Sequence, residues 1–125
     1  MRVWGRVISG RGAWRPRMER FPEVYLQGTG KPRFPGTLNV QLDRPIQIRE
    51  EFRIPGTQIG EPEQHILFEC CLIDGIEGWR VRPFQPATGA AGHGDHILEI
   101  VSAHQLRPRL SNLQSLVVEF PHRDS

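Results

Sequence analysis

Lysine is almost missing from this chain: Lys31 is the only one, and the other fifteen of sixteen basic residues are arginine. A phosphate loop of the Gly-Lys-Ser/Thr kind is therefore excluded, because no such tripeptide occurs. Cysteine is nearly as scarce. The two thiols are neighbours, Cys70 and Cys71, inside the run HILFECCLI. Adjacent strand residues point to opposite faces, so they are badly placed to bridge each other, and a metal pair wants two to four residues between its thiols. They read as small hydrophobes of a core strand, and without a disulfide framework a reducing cytoplasm is the expected compartment. No apolar run approaches the roughly 20 residues of a membrane span. The basic start MRVWGRVISGRG has no apolar stretch behind it, so neither a secretory signal nor a membrane partner is expected.

What is present is the composition of a globular chain. At 125 residues, 38% hydrophobic and 24% charged, it fits one domain, residues 1–125, with enough surface to bury an ordinary core. The net charge of +2 conceals a split. Residues 1–42 carry eight basic groups against two acids, and residues 43–125 carry eight against twelve.

Thirteen glycines and eleven prolines are spread along the chain and cut it into short segments, which favours strands over long helices. RVWGRVISG reads as a first strand closed by Gly10-Arg11-Gly12. RMERFPEVYLQG is the best short helix, broken early by Pro22. GTLNVQL alternates, with Leu38, Val40 and Leu42 on one face and Thr37, Asn39 and Gln41 on the other. IQIREEFRI gives a weaker strand over 46–54. HILFECCLI is a buried strand ended by the hairpin turn Asp74-Gly75, and IEGWRVRPF returns with Trp79, Val81 and Phe84 expected inward. QPATGAAGHGDH is a long loop of the kind that is usually functional or mobile. In HILEIVSA, Ile97, Glu99 and Val101 share one face. HQLRPRL starts a helical turn limited by Pro108, and SLVVEF closes the chain. Some six strands with one or two short helices imply a small, mainly β, closed or nearly closed barrel.

Three groups of residues could carry chemistry. After the first strand, Ser9, Gly10, Arg11, Gly12, Ala13, Trp14 and Arg15 combine turning backbone amides with guanidinium charge, which suits phosphate. The same pattern serves equally as a plain turn. Thr37 and Asn39, two apart on a strand, put a hydroxyl and an amide oxygen on one face; this suits a hard cation such as Mg²⁺, or simply a solvated edge. Glu99 sits on a strand of Ile, Leu and Val. If it faces inward it needs a partner and is a candidate for proton transfer; otherwise it is an ordinary half-exposed acid. His93 and His96 could ligate a metal, but no zinc spacing completes them. His104, Gln105, Leu106 and Arg107 offer polar groups at the helical turn.

Together, GRVISGRG, FPGTLNVQLD and HILEIVSAHQLRPRL resemble, in order and spacing, the archaeal CTP-dependent riboflavin kinases. The resemblance implies a six-stranded cradle-loop (riboflavin-kinase-like) barrel that transfers the γ-phosphoryl of a nucleoside triphosphate to riboflavin, giving FMN. By the same resemblance Gly10, Arg11, Gly12, Ala13, Trp14 and Arg15 contact the nucleotide, as do His104, Gln105, Leu106 and Arg107. Thr37 and Asn39 would hold Mg²⁺, and Glu99 would bind the flavin and act in catalysis. A flavin-binding threonine corresponds to Thr88 if the preceding loop has lengthened, since ungapped counting reaches Ala91.

A barrel that binds a nucleotide or another phosphorylated ligand without catalysis explains the arginines equally. A nucleic-acid barrel is prompted by Trp4 and Trp14 among arginines, but the low net charge and 8% aromatics argue against it. The chain is expected to act as a monomer on small molecules.

Overall fold

The alternating and apolar segments become seven strands: β1 Arg2–Ile8, β2 Leu38–Leu42, β3 Phe52–Ile54, β4 His65–Ile73, β5 Ile76–Phe84, β6 Ile97–Val101 and β7 Leu116–Glu119. The computed structural model describes residues 1–10, 12–85 and 95–123, and every count here refers to them. The strand order is β3-β4-β5-β6-β2-β1-β7, and β7 also pairs with β4. Six strands therefore close into an antiparallel barrel, with β3 as an extra strand on the first half of β4. The β4–β5 hairpin turns on two left-handed residues, Asp74 (φ 47°) and Gly75 (φ 84°), the geometry whose twist matches the strands it joins.

Alternation sorts the side chains into two cores. The barrel interior takes Val3 and Val7 from β1, Leu38, Val40 and Leu42 from β2, Cys71 and Ile73 from β4, and Leu98 and Ile100 from β6. The outer face of β4, β5 and β6 is covered by two short helices, α1 (Trp14–Arg20) and α2 (Pro22–Thr29). Trp14, Met18 and Tyr25 pack there against Phe68, Val81 and Val101. Phe68 stacks on Phe52 at 4.4 Å between ring centres, which adds about 1 kcal/mol beyond area burial. Where one broken helix is expected, two form, because the residue before a proline avoids the helical region. Phe21 leaves it (φ −127°, ψ 52°), and Pro22 then starts α2, where its missing N–H costs nothing. No helix among the described residues is long and apolar enough to cross a membrane.

Two expectations are corrected. The strand predicted over 46–54 shrinks to three residues, because the preceding stretch crosses one end of the barrel as a strap. Its amides go to single acceptors instead of a ladder: Ile46 N–H donates to the Asp95 carbonyl, Arg49 N–H to Glu69 Oε1, and Glu51 N–H to the Phe68 carbonyl. On β5, Trp79 and Val81 face the helices, so the interior receives Gly78 and Arg80, while Phe84 has the opposite parity. The cysteines behave as read. Both are free, Cys71 is wholly buried, and burial pushes the Cys70 thiol up to about 11.

Glu69, inside the wall at 1% exposure, accepts two hydrogen bonds from Arg123 (2.5 and 2.6 Å) besides that from Arg49. Removing one partner of a buried ion pair typically costs 3–5 kcal/mol, far above the value of a surface pair. Glu69→Gln should therefore lower the unfolding free energy by about 3 kcal/mol or more in denaturant titration. Loss of less than about 1 kcal/mol would mean the carboxylate is not what holds the strap and tail.

Candidate functional site

The sequence-predicted residues converge on the outer face of β2 and β6. Asn39 and Glu99 are directly opposed across this antiparallel pair, and Val81 of β5 lies beyond Glu99 in register. Opposed residues share a face, so the carboxylate and the amide stand side by side, both nearly buried at 8% and 7% exposure. Thr37, two residues before Asn39, donates a hydrogen bond from Oγ1 to Asn39 Oδ1 at 3.0 Å. The solvated edge is set aside, because β2 lies between β1 and β6. Glu99 faces out of the barrel, on the side of Val81 and Val101 and not of the interior Leu98 and Ile100, yet at 8% exposure it is not a half-exposed acid.

The glycine segment meets this patch at its first residue. Gly10 follows β1, whose Ile8 pairs with Asn39. A Cβ at Gly10 would stand 2.6 Å from Asn39 Nδ2, so only glycine lets the chain lie this close to the amide. Gly12 has φ 70°, and Ala13 precedes the first turn of α1. Trp14, expected beside a nucleotide, instead puts its indole into the outer core at 5% exposure, under the Arg17 guanidinium. Arg15 is exposed, pairs with Glu19 one helical turn on (2.7 Å), and its Cβ passes beside Gly36. Arg11, Thr88 and His93 lie outside the described residues.

The late segment forms a cleft of about 190 Å³ with the start of β2. Thr37, Phe34 and Ser102 line it together with His104, Gln105 and Arg107. Leu106 lines it too, but its side chain anchors the segment in the barrel interior. Ser102 organises the turn: its hydroxyl donates to the Glu77 carbonyl (2.7 Å) and accepts from His104 N–H (3.2 Å). Thr37 thus belongs to both the Asn39–Glu99 patch and this cleft.

Sequence reading missed what holds the cleft's near wall. Arg33 looks like one more surface cation, yet its side chain is 1% exposed and pairs with Glu77 of β5 at 2.7 Å. Phe34 N–H then donates to the Ser102 carbonyl at 2.8 Å, which pins the segment leading into β2. A second groove, about 290 Å³, opens further along the outer face, where Trp4 (56% exposed) and Arg6 flank Gln41 and Asp43. Its only sequence signal was a tryptophan on the polar face of a first strand.

Thr37 Oγ1 and Asn39 Oδ1 are held 3.0 Å apart by the hydrogen bond between them, so a cation shared by the two oxygens would require the hydroxyl proton to turn away from Oδ1. Both donors are neutral, and no cluster of three or more acidic, histidine or cysteine side chains occurs among the described residues. Such a pair suits an ion that arrives on a polyanion, not one caged by the protein. No protein-family model matches the chain, and no curated protein does.

The close approach of Gly10 can be tested without any ligand. Gly10→Ala should move the Asn39 side-chain amide signals in a ¹⁵N NMR spectrum. Gly12→Ala, where nothing lies within 4 Å of the added carbon, should leave them in place and cost only about 1 kcal/mol of backbone strain. Equal shifts in the two variants would show that Gly10 does not pack on Asn39.

Proposed function

We propose that the barrel is a cradle-loop riboflavin kinase that transfers the γ-phosphoryl group of a nucleoside triphosphate, CTP by resemblance, to riboflavin with Mg²⁺. The observation that carries this reading is the convergence of Thr37, Asn39 and Glu99 on one face, beside the cleft that His104 and Arg107 line. Phosphoryl transfer asks a protein for positioning and charge neutralisation more than for covalent chemistry. A patch made of backbone, one hydroxyl, one amide and one carboxylate is adequate for that.

In this mechanism the nucleotide lies in the cleft, with its phosphates directed past Thr37 toward the Gly10 and Gly12 backbone. Thr37 and Asn39 would hold Mg²⁺, which would supply neutralisation of phosphate charge. Glu99, opposite Asn39, orients the terminal ribityl hydroxyl and takes its proton as that oxygen bonds to the γ-phosphorus and the nucleoside diphosphate departs. The groove beside Trp4 starts at Gln41, the next residue on Asn39's face, about 7 Å along the strand. That offset suits a planar ring carried on a short polyol chain, with the indole as its stacking surface.

A second reading has its own support. Trp14 is buried and Arg15 is paired with Glu19, so the glycine segment offers a phosphate less side-chain charge than its sequence suggests. A barrel that binds a phosphorylated ligand without turnover fits that arrangement.

Incubation with riboflavin, Mg²⁺ and each of CTP, ATP, GTP and UTP, followed by flavin separation, decides between the two. FMN is expected with CTP. Asn39→Ala should then slow its formation about tenfold or more, and Glu99→Gln about a hundredfold. No FMN with any of the four nucleotides overturns the kinase reading, and saturable nucleotide binding in the same preparation would then favour the second.

A further inference from the structure

Among the described residues, Arg80 is a charge in the barrel interior with no ion pair or hydrogen bond at its two Nη nitrogens. It is 1% exposed, on the interior face of β5, and both Nη1 and Nη2 are buried without a hydrogen-bond partner among the described residues. Buried polar nitrogens are rarely left in this state, since desolvating a guanidinium without partners costs several kcal/mol. Glu69 is its cross-strand neighbour on β4, but that carboxylate accepts from Arg123 at both oxygens and from Arg49 N–H at Oε1, and makes no hydrogen bond to Arg80.

Arg80 stands on the interior face between Glu69 of β4 and Ile100 of β6, with Arg82 next along the same face. Burial pulls the guanidinium down to about 10, and Arg82, Glu69, Asp95 and Arg123 also act on it. Arg82 and Asp95 lie at the far end of β5 and the start of β6, away from the cleft lined by Thr37. There they line a separate pocket of about 420 Å³, with Leu67, Gln47 and Arg53. Arg82 is the next residue outward on Arg80's own face, about 7 Å along the strand, and is opposed by Leu67. Arg80 therefore lies one side-chain layer below this pocket. Glu50 lines the pocket too and pairs with Arg53, so the local balance is four guanidiniums, Arg53, Arg80, Arg82 and Arg123, against three carboxylates, Glu50, Asp95 and Glu69. Arg82 pairs with Asp95 and Arg123 with Glu69, so Arg80 is the cation left over.

We infer that this end of the barrel is an oxyanion site, in which a phosphate or carboxylate group entering beside the Arg82–Asp95 pair is bound by the two Nη nitrogens of Arg80. Two parallel N–H donors on one guanidinium match the spacing of two oxygens on either group. Because Arg80 is closed off, binding requires the Arg82–Asp95 pair to part, and the anion then bridges both guanidiniums. The site is distinct from the proposed kinase centre and does not rest on it.

The test uses inorganic phosphate and, separately, acetate, titrated into the protein with chloride holding the ionic strength constant. The arginine side-chain N–H signals are followed by ¹⁵N NMR. Saturable shifts of the Arg80 and Arg82 signals are expected with at least one anion, and which anion acts names the preferred oxyanion. Arg80→Met should weaken that binding about tenfold or more, as expected for losing charge-assisted hydrogen bonds, without lowering the unfolding temperature. Arg107→Ala, in the other cleft, should leave the Arg80 shifts intact. No saturable shift at Arg80 with either anion overturns the inference, and so does an unchanged response in Arg80→Met. Should that variant not fold, the wild-type Arg80 signals alone decide.

Discussion

The six-stranded barrel closes through β4, whose second side is divided between two strands. Its first half serves β3 and its last two residues serve β7, through Leu72 with Glu119 and Ile73 with Val118. Between these stretches the wall has no strand on that side, and the backbone there still needs partners. Each buried amide left unmade would cost about 1–3 kcal/mol. Carboxylates supply the missing acceptors: Glu51 Oε2 takes the Cys70 N–H, and Glu69 takes the strap at Arg49 and the tail at Arg123. His122 bonds Glu51 as well, so the chain's end is tied to the same seam. Closure thus rests on a short stretch of acid–base chemistry where most of the barrel relies on ladders.

Everything about the candidate site follows from that closed register. Once β1, β2 and β6 are fixed side by side, Asn39 must stand between Ile8 and Glu99. A slip of one residue would send Asn39 and Glu99 into the interior and bring Val40 and Leu98 out, so the interior core enforces the site. The helices complete it from the other direction. With Trp14 and Met18 held in the outer core, Gly10 lies against Asn39 and Arg15 of α1 lies beside Gly36. The indole expected beside a nucleotide instead anchors the start of α1 in the outer core.

Legibility in the sequence tracked the strength of local signals. The alternation in GTLNVQL put Thr37 and Asn39 on the polar face correctly, because a period of two is unambiguous when one face is purely aliphatic, whereas in HILEIV both faces carry aliphatic residues and the direction of the Glu99 face stayed open. The Asp74-Gly75 turn was equally plain, since its backbone demands those residue types. The strap was misread as a strand because Ile46 and Ile48 carry strand propensity, whereas its amides are satisfied by side chains distant in sequence. Arg80 was invisible for a related reason. In WRVRPF the alternation is real, but the apolar residues face the helices and a cation faces the barrel, an inversion that no local pattern reports.

The excess of arginine in residues 1–42 acquires a different meaning once each side chain is located. Arg33 is buried on Glu77, Arg17 lies over Trp14, Arg20 over Phe21, Arg15 pairs with Glu19, and Arg6 bonds Gln41. These positions fall on different elements and point in different directions, so they do not sum to one phosphate-binding field. Spread in this way, the charge argues against a nucleic-acid track, which needs contiguous cations along a backbone path. It is compatible with a small-molecule site that draws on few charges at short range. The arginine whose two Nη nitrogens are buried without a partner among the described residues lies outside that basic third altogether, at position 80. In this fold the charge that matters is set by which guanidiniums the barrel has already paired, and composition alone cannot report that.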